Sequence, residues 1–158
     1  MGWTRICCAV DFSETSRFAM LEAAGLARRF DAELTLLHVH EPSPMVATDL
    51  LVSPEGVAEG AGAEVEQMLA GWGSDAERCA GKHVATVLRV GFPAVEILRH
   101  ARERECDLIV MGTHGRKGLG RLVLGSAAEH VVRQAACSVL VVRPPAKAGS
   151  PGTTGGTS

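Results

Sequence analysis

Five short apolar runs, each the length of a strand, recur through this chain with stretches of helical spacing between them. They read RICCAV (5–10), LTLLHV (34–39), VATVLRV (84–90), DLIVM (107–111) and SVLVV (138–142). Runs that are apolar at nearly every position, without alternation, fit strands covered on both faces. Parallel neighbours need a long crossover, and the intervening stretches have the spacing to supply helices as crossovers. The pattern predicts one α/β domain, a five-stranded parallel sheet with helices on both faces. With 158 residues, of which 46% are hydrophobic, the chain has enough apolar material for a single core.

The connecting stretches carry their own punctuation. Ser13 is placed to cap a helix whose inward positions are Ala19, Ala23, Ala27 and Phe30. After the second strand, His40-Glu41-Pro42-Ser43-Pro44 breaks regular structure and opens a long irregular connection. Residues 57–79 have helical composition, but Gly60, Gly62, Gly71 and Gly73 each cost about 1 kcal/mol relative to Ala, so a firm helix is predicted only over 63–77. Pro93 suits the first turn of the next helix, which points Val95, Ile97, Leu98 and Ala101 inward and ends in a solvated charged run, 102–105. Past Arg143 the chain reads PPAKAGSPGTTGGTS, too poor in apolar residues to offset the entropy of ordering it. Residues 1–143 are therefore read as one α/β domain, and 144–158 as a disordered tail.

The fourth run breaks into a loop holding Gly112, Gly115, Gly118 and Gly120, and the loop ends at Gly125-Ser126. Four glycines so close are read as a binding loop rather than as packing, since backbone N–H groups can turn inward where no Cβ intervenes and form a concave anion site. Ser126 and Glu129 have capping-box spacing, so a helix is predicted to start with Ser126 as its N-cap. A helix start presents unpaired N–H groups and the positive end of a dipole, which suits phosphate. Neither G-x-x-x-x-G-K-[ST] nor a G-x-G-x-x-G after a strand is present, which argues against a P-loop NTPase or a dinucleotide dehydrogenase.

The spacing Gly112-x2-Gly115-x9-Gly125-Ser126 resembles the nucleotide-binding signature of the universal stress protein family. AVDFS after the first strand, LLHV at the end of the second, and GFP before the third helix extend the resemblance over nearly all of residues 4–143. It implies a Rossmann-like domain with strand order 3-2-1-4-5, which sets the loops after strands one and four across one crevice. It also implies ATP, with Mg²⁺ beside the triphosphate charge. Carried over position by position, Asp11 lies by the adenine and ribose and the backbone of Val39 at the adenine edge. Gly112, His114, Gly115 and Arg116 line the ribose and phosphate side, and Gly125, Ser126 and Ala127 hold phosphate. The resemblance names no protein ligand for the metal. Each residue also has a plainer reading: Asp11 as a helix cap with Ser13, Ser126 as an N-cap alone, Arg116 and Lys117 as a solvated basic edge, His38 as a satisfied core histidine.

Composition narrows the function classes. A formal net charge of −2, no Tyr and few other aromatics disfavour nucleic-acid binding. No apolar run approaches the roughly 20 residues of a membrane span, and the start lacks the apolar core of a signal peptide, so a cytoplasmic protein is expected. Five cysteines without a C-x-x-C pair indicate neither a disulfide framework nor a zinc site, and they are expected reduced and mostly buried. The expected function is an ATP-binding stress or regulatory factor. A slow ATPase or nucleotidyl-transfer enzyme on the same fold, or a dimeric module without nucleotide, are the rivals. A homodimer through the uncharged fifth strand, at the sheet edge in the family's order, is also expected.

Overall fold

In the computed structural model the structure describes residues 2–42, 54–114 and 124–145, with backbone alone for 54–61. Strands and helices alternate along it: β1 (Arg5–Ala9), α1 (Glu14–Phe30), β2 (Glu33–His40), α2 (Pro54–Ala80), β3 (Ala85–Val90), α3 (Pro93–Glu103), β4 (Leu108–Gly112), α4 (Ser126–Gln134) and β5 (Ser138–Val142). All neighbours in the sheet are parallel, in the order β3-β2-β1-β4-β5. This is the predicted architecture. Cys7 pairs with Thr35 on one side and Ile109 on the other, so β1 is the central strand.

Two cores lie on opposite faces of the sheet. Alternate residues of β1 serve both, Ile6 and Cys8 facing α1 and α2 while Cys7 faces α3 and α4. The first core is lined on the helix side by small residues: Ala19, Ala23, Ala24 and Ala27 of α1 are fully buried, which lets the helix lie close to the sheet. Full burial of larger chains such as Ile6, Met20 and Leu36 contributes about 2 kcal/mol each.

Local chemistry sets the helix ends. Ser13 Oγ accepts from Ser16 N–H at 3.1 Å, the cap expected from the sequence. At the other end Asp31 turns left-handed, with φ 54°, and Ala32 N–H closes on Ala27 O at 2.9 Å. Helix α2 runs much further than the predicted 63–77, despite its glycines. Tertiary contacts offset their cost: Leu69, Ala76 and Ala80 are buried, and Asp75 pairs with Arg17 of α1 at 2.9 Å. Gly73 lets α2 lie close to β3, since a Cβ there would come within 2.7 Å of Thr86 Cγ2 and the threonine side chain would have to turn away.

Helix α3 begins at Pro93 as predicted, but its inner face differs. Val95 is 43% exposed, while Glu96 and His100 are buried beside Ile97, Leu98 and Ala101. Glu96 is accommodated by ion pairs with Arg89 at 3.5 Å and Arg99 at 2.9 Å. No partner for the His100 ring nitrogens is found among the described residues, and burial, then the charges of Arg89 and Arg104, lower its pKa. The imidazole is accordingly neutral. Apart from Pro144 and Pro145, the segment read as a tail lies outside the described residues.

Candidate functional site

The order of the sheet turns back on itself between β1 and β4, because α1 carries the chain from β1 toward β2 while α4 carries it from β4 toward β5. Side connections leave in opposite directions there, and at such a switch point open α/β sheets form their ligand crevice beyond the carboxyl ends of the two strands. Asp11 and Gly112 stand at its two sides.

Beyond β1, Val10 N–H still bonds Leu37 O at 2.9 Å, and Val10 O accepts from His38 Nδ1 at 2.7 Å. His38 is thus a satisfied core histidine. Asp11 Oδ1 accepts from Ser13 N–H at 3.0 Å, and Asp11 N–H bonds Ser16 Oγ at 3.3 Å. One carboxylate oxygen therefore serves the turn that starts α1, the plainer role weighed for Asp11. Between them Phe12 adopts φ 64°, a left-handed conformation that costs a bulky residue about 1–3 kcal/mol. Its ring stacks 4.5 Å from that of His38 and meets Trp72 edge-on at 5.4 Å, contacts that hold it there. Sequence reading missed Phe12, since nothing in its neighbours announces a positive φ.

Gly112 ends β4, and its role differs from the one expected of the loop glycines. A Cβ on it would lie 2.7 Å from Thr15 Cγ2 and 3.2 and 3.3 Å from Thr15 C and Ser16 N. This glycine is there for packing: it lets the end of β4 touch the first turn of α1, and so draws the two sides of the crevice together. Thr113, buried, donates its N–H to Val142 O at 3.1 Å and shares a 2.7 Å hydrogen bond between Oγ1 and His114 Nδ1.

The start of α4 is fixed to the same place. Gly125 N–H donates to Thr113 O at 2.6 Å, and Gly125 O accepts from Glu129 N–H at 2.9 Å. That second bond makes Gly125, not Ser126, the N-cap, with φ −60° and ψ 152°. The predicted capping box is therefore not formed: Ser126 is the first helical residue and exposed, and Glu129 pairs with Arg133 at 2.7 Å. A glycine cap has no side chain to occupy the first-turn N–H groups. Gly112 thus lies against the first turn of α1, next to Asp11, and Gly125, followed by Ser126 and Ala127, is joined to the end of β4 beside His114. Val39 is in β2, the strand beside β1, paired with Arg89 of β3. Gly115 and Arg116 lie outside the described residues, as does Lys117.

Among the described residues no group of three His, Cys, Asp or Glu is arranged to hold a metal ion. Mg²⁺ commonly takes one or two carboxylates with the rest of its shell from phosphate and water, and Asp11 offers one carboxylate at this crevice. Among the described residues no helix is long and apolar enough to cross a membrane.

A sequence model of the universal stress protein family matches residues 2–143. A universal stress protein of Methanocaldococcus jannaschii is 38% identical over 145 residues, covering 92% of this chain and 85% of that protein. Among solved structures, hypothetical protein MJ0577, the subject of a structure-based assignment of biochemical function, superposes with a TM-score of 0.81 at 26% identity, over 93% of this chain and 100% of its own. Two more distant structures share the fold. A universal stress protein in complex with cAMP is 21% identical with a TM-score of 0.70, over 90% of this chain and 98% of its own. One from Archaeoglobus fulgidus in complex with dAMP is 23% identical with a TM-score of 0.61, over 90% and 99%. With its sheet order, its crevice and these likenesses in agreement, the chain belongs to the universal stress protein family.

Proposed function

We propose that this protein binds ATP, accompanied by Mg²⁺, in the crevice between the ends of β1 and β4, and acts in the cytoplasm as a nucleotide-dependent stress-response or regulatory factor. The observation that carries the reading is the 2.6 Å bond from Gly125 N–H to Thr113 O, which sets the start of α4, with its glycine cap, against the end of β4. With no cap side chain on the first-turn N–H groups, that helix start and the positive end of its dipole suit a phosphate. Asp11, on the other side, offers an acceptor for ribose hydroxyls. That relatives of the same fold were solved with cAMP and dAMP supports an adenine nucleotide as the class of ligand. A γ-phosphate hydrolase needs a base or a water-positioning group, and His114, already bonded to Thr113, is the described side chain nearest that role. Binding and signalling, not turnover, is the function proposed.

Titration calorimetry with ATP and Mg²⁺ tests it, with saturable binding expected and no binding at millimolar ATP the result that sinks it. Asp11→Ala separates the ligand role from the cap. Losing the bond to Ser13 N–H costs about 0.5–2 kcal/mol of stability. If Asp11 also touches the nucleotide, affinity falls about tenfold, or ~1.4 kcal/mol. A lowered melting temperature with unchanged affinity leaves Asp11 a cap only.

The edge of the sheet supports a homodimer in the same reading. β5 pairs with β4 on one side, and among the described residues no strand pairs with its other side. Val139, Leu140 and Val141 are half-buried and uncharged, so an unprotected ladder edge is left next to apolar side chains. A two-fold axis beside it lets the same strand of two chains pair. Sedimentation is expected to report a dimer for wild type and a shift toward monomer for Val141→Lys. A wild-type monomer at high micromolar concentration ends the proposal.

A further inference from the structure

Asp11 stands between two residues that one side chain of the neighbouring strand holds together. His38 of β2, itself buried, donates from Nδ1 to Val10 O at 2.7 Å and stacks its ring 4.5 Å from that of Phe12. Phe12 is held a second time by Trp72 of α2, which meets it edge-on at 5.4 Å. Trp72 is steadied in turn: the Arg17 guanidinium of α1 lies 5.4 Å over its ring and pairs with Asp75 at 2.9 Å. Side chains of β2, α1 and α2 thus converge on a ring that is one residue from the carboxylate at the crevice.

The backbone under that ring is strained. Phe12 has φ 64°, a region that bulky residues avoid and glycine enters freely. The turn alone is served better by glycine, so what phenylalanine adds is its two aromatic contacts. Residues in such conformations persist where their surroundings over-determine them, and they concentrate at ligand sites. The hydrogen bonds of Asp11 itself are local, Oδ1 accepting from Ser13 N–H at 3.0 Å and its N–H donating to Ser16 Oγ at 3.3 Å. They set the shape of the turn, while the ring of Phe12 ties that turn to β2 and α2.

We propose that Phe12 is a positioning residue for the nucleotide: its ring, gripped by His38 and Trp72, holds the Asp11 carboxylate ready for the ribose hydroxyls before the ligand arrives. The inference rests on the nucleotide reading above and names the part of the site that prepares its acceptor. Phe12 acts through Asp11 and makes no contact with the ligand. Without the grip the turn samples several conformations, and the apparent affinity falls with the fraction that presents the carboxylate.

The test is titration calorimetry with ATP and Mg²⁺ on the full chain, comparing wild type with Phe12→Gly, Phe12→Tyr, Asp11→Ala and the double variant Asp11→Ala/Phe12→Gly, with thermal unfolding of each. Phe12→Gly is expected to bind about tenfold more weakly, as when the competent turn is populated one part in ten, although glycine relieves the backbone. Phe12→Tyr, which keeps the ring, is expected to bind like wild type. The double variant is expected to match Asp11→Ala, because the ring has no carboxylate left to position. Wild-type affinity in Phe12→Gly or in Asp11→Ala overturns the proposal. So does a full further loss in the double variant, which marks a ring that serves the fold or touches the ligand itself. If Phe12→Gly does not fold, Trp72→Ala takes its place, with a smaller loss that again vanishes without Asp11 expected, and unchanged affinity overturning the proposal. A wild type that binds no ATP defeats the nucleotide reading and this inference with it, whereas a wild type that binds beside an unaffected Phe12→Gly defeats this inference alone.

Discussion

Gly112→Val lowers the free energy of unfolding by about 3 kcal/mol, the upper part of the range for overpacking a well-filled site. Two of the three atoms a Cβ would meet, Thr15 C and Ser16 N, are backbone and cannot rotate away. The variant is accommodated only if α1 retreats from β4. That movement disturbs the cap bonds among Ser13, Ser16 and Asp11, so nucleotide affinity is expected to fall along with stability. For a chain of this size the melting temperature drops by about 10 °C. Guanidinium unfolding gives the number, and a wild-type midpoint would show that Gly112 serves the ligand alone.

Asp107→Asn has the second large effect, about 2 kcal/mol, and it acts at the far end of the sheet. The Asp107 carboxylate accepts from Thr4 N–H at 2.8 Å, Thr4 Oγ1 at 2.7 Å and Arg5 N–H at 3.0 Å, clamping the entry to β1 beside the entry to β4. An asparagine amide turns two hydrogens toward some of these donors and forfeits the charge-assisted bonds. Partial burial by itself raises the carboxyl pKa, but the bonds from Thr4 and Arg5 outweigh it and hold the group below the ordinary range. A carboxylate depressed in the folded state contributes stability above its unfolded pKa of about 4 and loses it as pH falls through the folded value. Unfolding followed against pH is therefore expected to show a shallower acid limb in Asp107→Asn than in wild type. Parallel acid limbs would mean that Asp107 adds nothing beyond its neighbours.

Much of this fold was legible because the three inner strands, β1, β2 and β4, are buried on both faces and so are written as nearly unbroken apolar runs, while the edge strands β3 and β5, read from the same pattern, are only partly covered. Ser13 and Pro93 mark helix starts by chemistry local to one turn, and both did so reliably. What stayed hidden depends on contacts between elements. Gly112 reads as part of a glycine loop, yet the helix that demands it begins almost a hundred residues earlier. Ser126 and Glu129 have the right spacing for a capping box, but the bond to Thr113 moves the boundary by one residue and leaves the cap to Gly125. Glu96 and His100 look like solvent positions on a short charged helix, and the ion pair with Arg89, from the strand just before it, makes burial of Glu96 tolerable. The placement of Asp11 and Gly112 beyond the neighbouring strands β1 and β4 follows from the strand order that could be read in advance, and the left-handed turn at Phe12 could not be read.

The bond between Gly125 N–H and Thr113 O also separates two jobs that a loop normally combines. Because it pins both ends of the connection, strand and helix keep their relative placement whatever the sequence between them requires. The entropy of closing such a loop grows only logarithmically, about 0.6 kcal/mol for each doubling of length. An insertion between His114 and Leu124 therefore costs the domain little stability, whereas His114, bonded to Thr113, and Leu124, packed on the second core, belong to the scaffold itself.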